Sequence, residues 1–201
     1  MPGHFATESG GQHPRNIKVT KGVWEQEYNK NKWDFLFSED EKAHYDAIIA
    51  QVKSNNAAPE ILDTGCGQGA LYGYFTTSLG PGFNYQGIDI SENAIKKASE
   101  KFPGINFKVV DYDFEKVTGR FNIIVFNEVL YYFVKPAKTL HKAITENLSA
   151  SGVVIISMYK DSQDKNEFIW KNIDRQYKIL AQQVVKNDKG TSWTIKTIAI
   201  N

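Results

Sequence analysis

The sequence predicts an α/β fold: a doubly wound, Rossmann-like, mostly parallel sheet of seven strands ending in a C-terminal antiparallel hairpin. Three observations carry this. A short apolar run, Ile61-Leu62, closes on Asp63 and passes through Gly65, Gly67 and Gly69 into Ala70, Leu71, Tyr74, Phe75 and Leu79 at near-helical spacing. Short apolar runs then alternate with helical segments as far as Met158, the pattern of parallel strands with helices on both faces. Finally, two β-rich runs, Tyr177–Lys186 and Ser192–Ile200, flank the turn residues Asn187-Asp188-Lys189-Gly190.

The elements follow in order. Val23–Lys32 reads as a short helix, followed by an aromatic loop from Trp33 to Phe37. Ser38 precedes three acids as an N-cap would, and a helix then runs to about Val52 with Tyr45, Ile48, Ile49 and Val52 on one face. The first strand is Glu60–Asp63, the next helix Ala70–Leu79, and Gly80-Pro81-Gly82 closes it. The second strand is Asn84–Ile88. Ser91 caps a helix that runs to Phe102. The third and fourth strands are Asn106–Val110 and Asn122–Asn127. Pro136–Leu148 is a helix, Ser149–Gly152 a turn and Val153–Met158 the fifth strand.

Composition fits one domain, residues 21–201, with 21–55 as an N-terminal helical cap and 1–20 as a disordered leader. Apolar residues make up 41% of the chain, enough for a core, and 24 basic against 23 acidic residues leave a formal charge of +1. Lys96-Lys97 and Lys135–Lys142 read as solvated helix faces, so nucleic acid is not an expected partner. The single cysteine, Cys66, excludes an intrachain disulfide and suits a reducing, cytoplasmic setting. No apolar run has the length of a membrane span. Neither a Cys-x-x-Cys pair nor an H-E-x-x-H helix occurs, so no metal is expected.

The glycine turn is the centre of the functional reading. Three glycines in five residues suit a tight turn with a ligand against bare backbone. The spacing is G-x-G-x-G rather than the dinucleotide G-x-G-x-x-G, and Asp63 stands two residues before it. An acid there repels a pyrophosphate and suits a ligand with a cationic amino group. Asp89, at the end of the second strand, can accept hydrogen bonds from both hydroxyls of a ribose. Its other reading is the N-cap of the following helix, a role for which Ser91 is better placed.

Asp63-Thr64-Gly65-Cys66-Gly67-Gln68-Gly69 resembles the first motif, (D/E)-x-G-x-G-x-G, of the class I S-adenosylmethionine-dependent methyltransferases. The resemblance extends from about Trp24 to Ile200 and implies S-adenosylmethionine as cofactor and a seven-stranded sheet. It implies that Asp63, Gly65, Cys66 and Gly67 hold the methionine end and that Ile90 lies on the adenine face. Asp111, or the nearby Asp113, stands near the adenine amino group, with the backbone around Tyr112 reading the ring. Trp24-x-x-x-Tyr28 matches a segment that folds over the cofactor in relatives. Tyr28 would bond the methionine carboxylate, with Trp33 beside it, although these aromatics also suit plain packing. Asn127-Glu128-Val129-Leu130-Tyr131-Tyr132 follows the fourth strand, where ligands of open α/β sheets bind, and looks like the corresponding run of nodulation-type N-methyltransferases. It is not the (D/N)-P-P-(F/Y) motif of enzymes acting on nucleobase or protein amide nitrogens.

The resulting expectation is in-line methyl transfer to a small-molecule acceptor, an amine nitrogen ahead of a hydroxyl or carboxyl oxygen. Glu128, Tyr132 and His44 are the catalytic candidates. Glu128 also reads as a solvated loop acid and His44 as a packed helix residue. Cys66, with no histidine near it in sequence, reads as a small filler rather than a nucleophile. Two other readings stand beside this one: a nicotinamide-dependent reductase and a non-catalytic nucleoside-binding module on the same fold.

Overall fold

The computed structural model describes residues 20–80, 82–160 and 166–200. The expected leader thus lies outside the described residues except for Thr20. Seven strands form one sheet: β1 (Glu60–Thr64), β2 (Asn84–Asp89), β3 (Asn106–Val109), β4 (Phe121–Asn127), β5 (Leu148–Tyr159), β6 (Lys178–Lys186) and β7 (Ser192–Ala199). Their spatial order is β3-β2-β1-β4-β5-β7-β6. The first five are parallel, and β7 runs antiparallel between β5 and β6. The order reverses between β1 and β4, and the cavity described below opens at the carboxyl ends of these central strands.

The central strands β1, β4 and β5 bury both faces, as interior parallel strands do. Ile61, Ile123, Val125 and Ile155 enter one core with Ile48, Val52 and Phe75 of α2 (Lys42–Asn55) and α3 (Ala70–Leu79). Their neighbours Leu62, Ile124, Phe126 and Ile156 enter the other with Leu140 of α5 (Pro136–Lys142) and Trp170 and Ile173 of α6 (Glu167–Gln176). The alternation within each strand assigns adjacent residues to opposite layers. The two remaining helices are α1 (Lys21–Asn29), packed against α4 (Glu92–Lys101).

Three expectations needed correction. The turn expected at Ser149–Gly152 is part of β5, which begins at Leu148 and pairs with Phe121 before a register shift toward Ile123. The small polar residues there mark that irregularity rather than a strand end. The helix expected over Pro136–Leu148 changes to a π-helical turn at Ala143–Asn147. The aromatic loop is a 3-10 turn, Asp34–Phe37, and Ser38 leads into a second one, Glu39–Glu41, without a side-chain cap bond.

Candidate active site

The glycine turn is fastened from two sides. Gly65 and Cys66 donate their N–H groups to the Ile88 carbonyl at 2.7 and 2.9 Å, which ties the turn to β2. Gly65, Gly67 and Gly69 all have positive φ, at 69°, 55° and 81°, where a side chain is strained. Space excludes one as well. A Cβ on Gly65 would lie 2.3 Å from Cγ2 of Val129, and one on Gly67 would lie 2.7 Å from the Tyr28 hydroxyl.

Asp89 is buried and accepts two backbone N–H bonds, from Gly67 on Oδ2 and from Ser91 on Oδ1, both at 2.9 Å. Ser91 Oγ accepts from Ala94 N at 3.1 Å, so the helix cap belongs to Ser91, as expected. Asp89 therefore buckles the glycine turn to the end of β2. Burial pushes its carboxyl up to about 6 against the pull of those N–H groups. Asp63 is also buried. It accepts from the Tyr85 hydroxyl at 2.8 Å, yet burial holds its carboxyl at about 7. Both acids lie beside the turn without a cation.

One cavity collects nearly all the candidates from the sequence. Tyr28, Trp33, Asp63, Gly65, Cys66 and Gly67 line it, as do Asp89, Ile90, Asp111, Tyr112 and Asp113, then Asn127, Glu128 and Tyr132. His44 does not. Its fully buried ring stacks on Trp193 at 4.6 Å between centroids, one layer behind the wall. Burial pushes its pKa down to about 3, opposed by neighbouring Asn127, and Nδ1 lies 3.5 Å from Glu41 Oε2. A buried imidazole of that kind is a poor base, which leaves the packing reading of His44 the better supported.

Several side chains are committed elsewhere. The Tyr112 hydroxyl donates to Asn147 Oδ1 at 2.7 Å, so its backbone and ring are what remain for a ligand. Asp113 accepts from Val134 N and Thr139 Oγ1, both at 3.2 Å, pinning its loop to the start of α5. Asp111 Oδ1 accepts from Asp113 N at 3.2 Å. The Cys66 thiol is buried and contacts the Gly67 carbonyl at 3.6 Å. Burial raises its pKa well above the usual thiol range, which removes it as a nucleophile.

At the far end, Glu128 follows β4 with φ of 56°, a left-handed conformation that is rare for such a residue. Its carboxylate accepts from the Tyr131 hydroxyl at 2.9 Å, Tyr159 N at 3.0 Å and Ser157 Oγ at 3.2 Å. Burial nevertheless pushes it up to about 8, and nearby Glu41 adds to the effect. Tyr132 packs edge-on to Trp24 at 4.8 Å and to Tyr131 at 4.5 Å. Among the described residues, the buried Trp33 Nε1 of the wall has no hydrogen-bond partner.

Sequence reasoning left out Leu36, Val110 and Phe133, apolar residues of the wall. Val110 sits just after the end of β3, a position that was itself the available signal. Among the described residues no group of three or more His, Cys, Asp or Glu could hold a metal, and no helix is long and apolar enough to cross a membrane.

Comparison with known proteins gives a consistent picture. A family model described as "Methyltransferase domain" matches residues 55–196. The candidate methyltransferase 235L of Invertebrate iridescent virus 6 is 29% identical over 142 residues, covering 70% of this chain and 51% of that protein. The release factor glutamine methyltransferase of Buchnera aphidicola subsp. Acyrthosiphon pisum (strain APS) is 39% identical over 83 residues, 39% of this chain and 29% of that protein. The chain thus spans about half or less of the length of these curated relatives. The structure of N-methyltransferase NodS from Bradyrhizobium japonicum WM9, in complex with S-adenosyl-L-homocysteine, superposes with a TM-score of 0.72 at 17% identity. It covers 90% of this chain and 97% of that one, and at this identity the likeness is one of fold.

Proposed function

The chain belongs to the methyltransferase-domain family of the class I, S-adenosylmethionine-dependent kind, and on that premise we propose that it methylates the amine nitrogen of a small molecule. The observation that carries the acceptor reading is Glu128, a buried carboxyl on the cavity wall beyond β4, held by three donors and, among the described residues, facing no cation.

The residues at the other end fit the cofactor. Asp63 is an acid raised by burial, with nearby Asp89 adding to the effect, and an ammonium beside it would restore its charge. Each oxygen of Asp89 accepts one backbone N–H and keeps a lone pair for a ribose hydroxyl. Trp33 Nε1 offers an unused donor. Ile90 and the Asp111–Tyr112 backbone supply the adenine wall. The bound cofactor supplies an electrophilic methyl group on a sulfonium and a neutral leaving group.

The protein must then hold the acceptor nitrogen in line, keep water out and take a proton. An ammonium cannot attack until it loses one. Glu128 as a carboxylate draws the ammonium in, and its burial raises its affinity for the proton the nitrogen gives up. Tyr131, Ser157 and Tyr159 N fix the carboxylate while this happens. Tyr132 and Trp24 close the apolar side. A hydroxyl acceptor also needs a base, and His44, buried outside the cavity, adds none to Glu128. The N-methyltransferase name of NodS agrees with an amine. Asn127-Glu128-Val129-Leu130 stands where glutamine-directed relatives carry Pro-Pro, which disfavours a protein glutamine. Asp63 beside the turn likewise disfavours a nicotinamide pyrophosphate.

The test is transfer of a radiolabelled methyl group from S-adenosylmethionine across matched panels of amines and hydroxyl compounds. Label on amines, lost in Glu128→Gln, is the expected result. Label on hydroxyl compounds alone would overturn the amine reading.

A further inference from the structure

Helix α1 forms part of the cavity wall through Trp24 and Tyr28, yet Tyr28 is its only buried residue. Its N-cap, Thr20, makes no side-chain bond. Apolar burial alone is a weak anchor for such a helix. Polar contacts to α4 take its place. Glu25 accepts from the first two amides of α4, Glu92 N at 2.6 Å and Asn93 N at 3.0 Å, and from Ser91 Oγ at 3.0 Å. Asn93 Nδ2 returns a bond to the Glu25 carbonyl at 3.1 Å. One turn further along α1, Lys97 Nζ donates to the Tyr28 carbonyl and to Asn31 Oδ1, both at 2.6 Å.

An anion at a helix N-terminus meets unpaired N–H groups and the positive end of the helix dipole. Desolvation opposes the charge on Glu25, but the Asn93 and Glu92 amides and Ser91 outweigh it and hold the carboxyl below its ordinary range. These contacts also reach the cofactor end of the cavity. Ser91 donates its N–H to Asp89, Asp89 accepts from Gly67, and the Tyr28 hydroxyl overlies Gly67. Glu25 and Tyr28, three residues apart on one helix, thus grip the two ends of a single chain of contacts: Glu25, Ser91, Asp89, Gly67, Tyr28.

We propose that Glu25 is a positioning residue that latches α1 over the cavity by capping α4, so that a bound nucleoside leaves only when this latch opens. The proposal rests on the reading that the cavity takes S-adenosylmethionine and its product. A purely structural staple would raise stability without controlling release.

The experiment uses the full chain with Glu25→Gln and, independently, Lys97→Met. Release of S-adenosylhomocysteine is followed by stopped-flow fluorescence of Trp24 and Trp33, and amide hydrogen exchange is measured on the ligand-free protein. Glu25→Gln removes the charge and one acceptor oxygen, so release should quicken about tenfold with association little changed. Lys97→Met should act in the same direction. Exchange should rise about tenfold in residues 21–29 while β1 and β4 keep their protection. Wild-type release rates in both variants, or exchange rising across the whole sheet, would overturn the latch. If the wild-type protein fails to bind S-adenosylhomocysteine, the functional reading falls, and the exchange data still decide whether Glu25 holds α1.

Discussion

At the β1–β2 end of the cavity Asp89 is met by backbone amides of the fold itself, whereas at the β4–β5 end Glu128 is met mainly by side chains. Asp89 takes backbone N–H groups from Gly67 and Ser91, partners fixed by the turn it stabilises. Glu128 depends mainly on side chains, the hydroxyls of Tyr131 and Ser157. Backbone partners are set by chain geometry and suit one constant ligand. Side-chain partners can turn toward a molecule whose own groups complete the site. On the proposed reading, the first is a cofactor end built by the fold and the second an acceptor end completed by its substrate.

The largest expected effect strikes the first end. Gly65→Ala places a Cβ 2.3 Å from Val129 Cγ2 at a φ of 69°. The left-handed conformation and the overlap together cost about 3 kcal/mol. S-adenosylhomocysteine binding should fall by about 100-fold or more in calorimetry. Adding Val129→Ala should recover only part of it, because the backbone strain persists. Full recovery would show that crowding alone made glycine necessary.

Glu128→Gln should divide the two ends cleanly. The kcat/KM for an amine should fall about 100-fold, while affinity for S-adenosylhomocysteine stays within about twofold. An equal loss in both would mean that Glu128 serves the cofactor instead.

A smaller effect concerns pH. Glu41 and Asp63 stand at about 7 and Glu128 at about 8 in the folded protein, against ordinary values of 4.5, 3.8 and 4.5. By about pH 6.5 the unfolded carboxyls have lost their protons, whereas the folded ones give theirs up only around pH 7 to 8. The folded state binds more protons, so stability falls as pH rises. His44 works in the opposite sense, but with a folded pKa of about 3 its contribution is complete above its ordinary 6.5. The melting temperature of the ligand-free protein should therefore drop between about pH 6.5 and 8.5, and S-adenosylhomocysteine should flatten the drop by giving Asp63 a cation. A melting temperature that rises over this range would contradict the burial of these acids.

The same contrast governs what could be read from the chain. The Ala70–Leu79 helix, the hairpin and the strand order along the sequence were legible because glycines and apolar periodicity mark them locally. The placement of β7 between β5 and β6 was not, since it depends on which edge a long-range pairing reaches. Helix α6 was missed although Trp170 and Ile173, three apart, now form its buried face. At the site, Asp63, Gly65, Gly67 and Asp89 stood out because turn chemistry forces them. His44 was a candidate only by residue type, and its stacking on Trp193 comes from a strand far along the chain. Glu25 gave no signal, because its partners at 91–93 lie more than sixty residues away.

The central claim is that Asp63 and the glycine turn receive an amino-acid tail rather than a phosphate. It is tested most directly by calorimetry with Asp63→Asn against two ligands, S-adenosylhomocysteine and 5′-methylthioadenosine, which lacks the tail. The account predicts that the substitution weakens S-adenosylhomocysteine by about 10- to 100-fold, the worth of one charged hydrogen bond, and leaves 5′-methylthioadenosine within about twofold. Equal weakening of both ligands, or of neither, would contradict it.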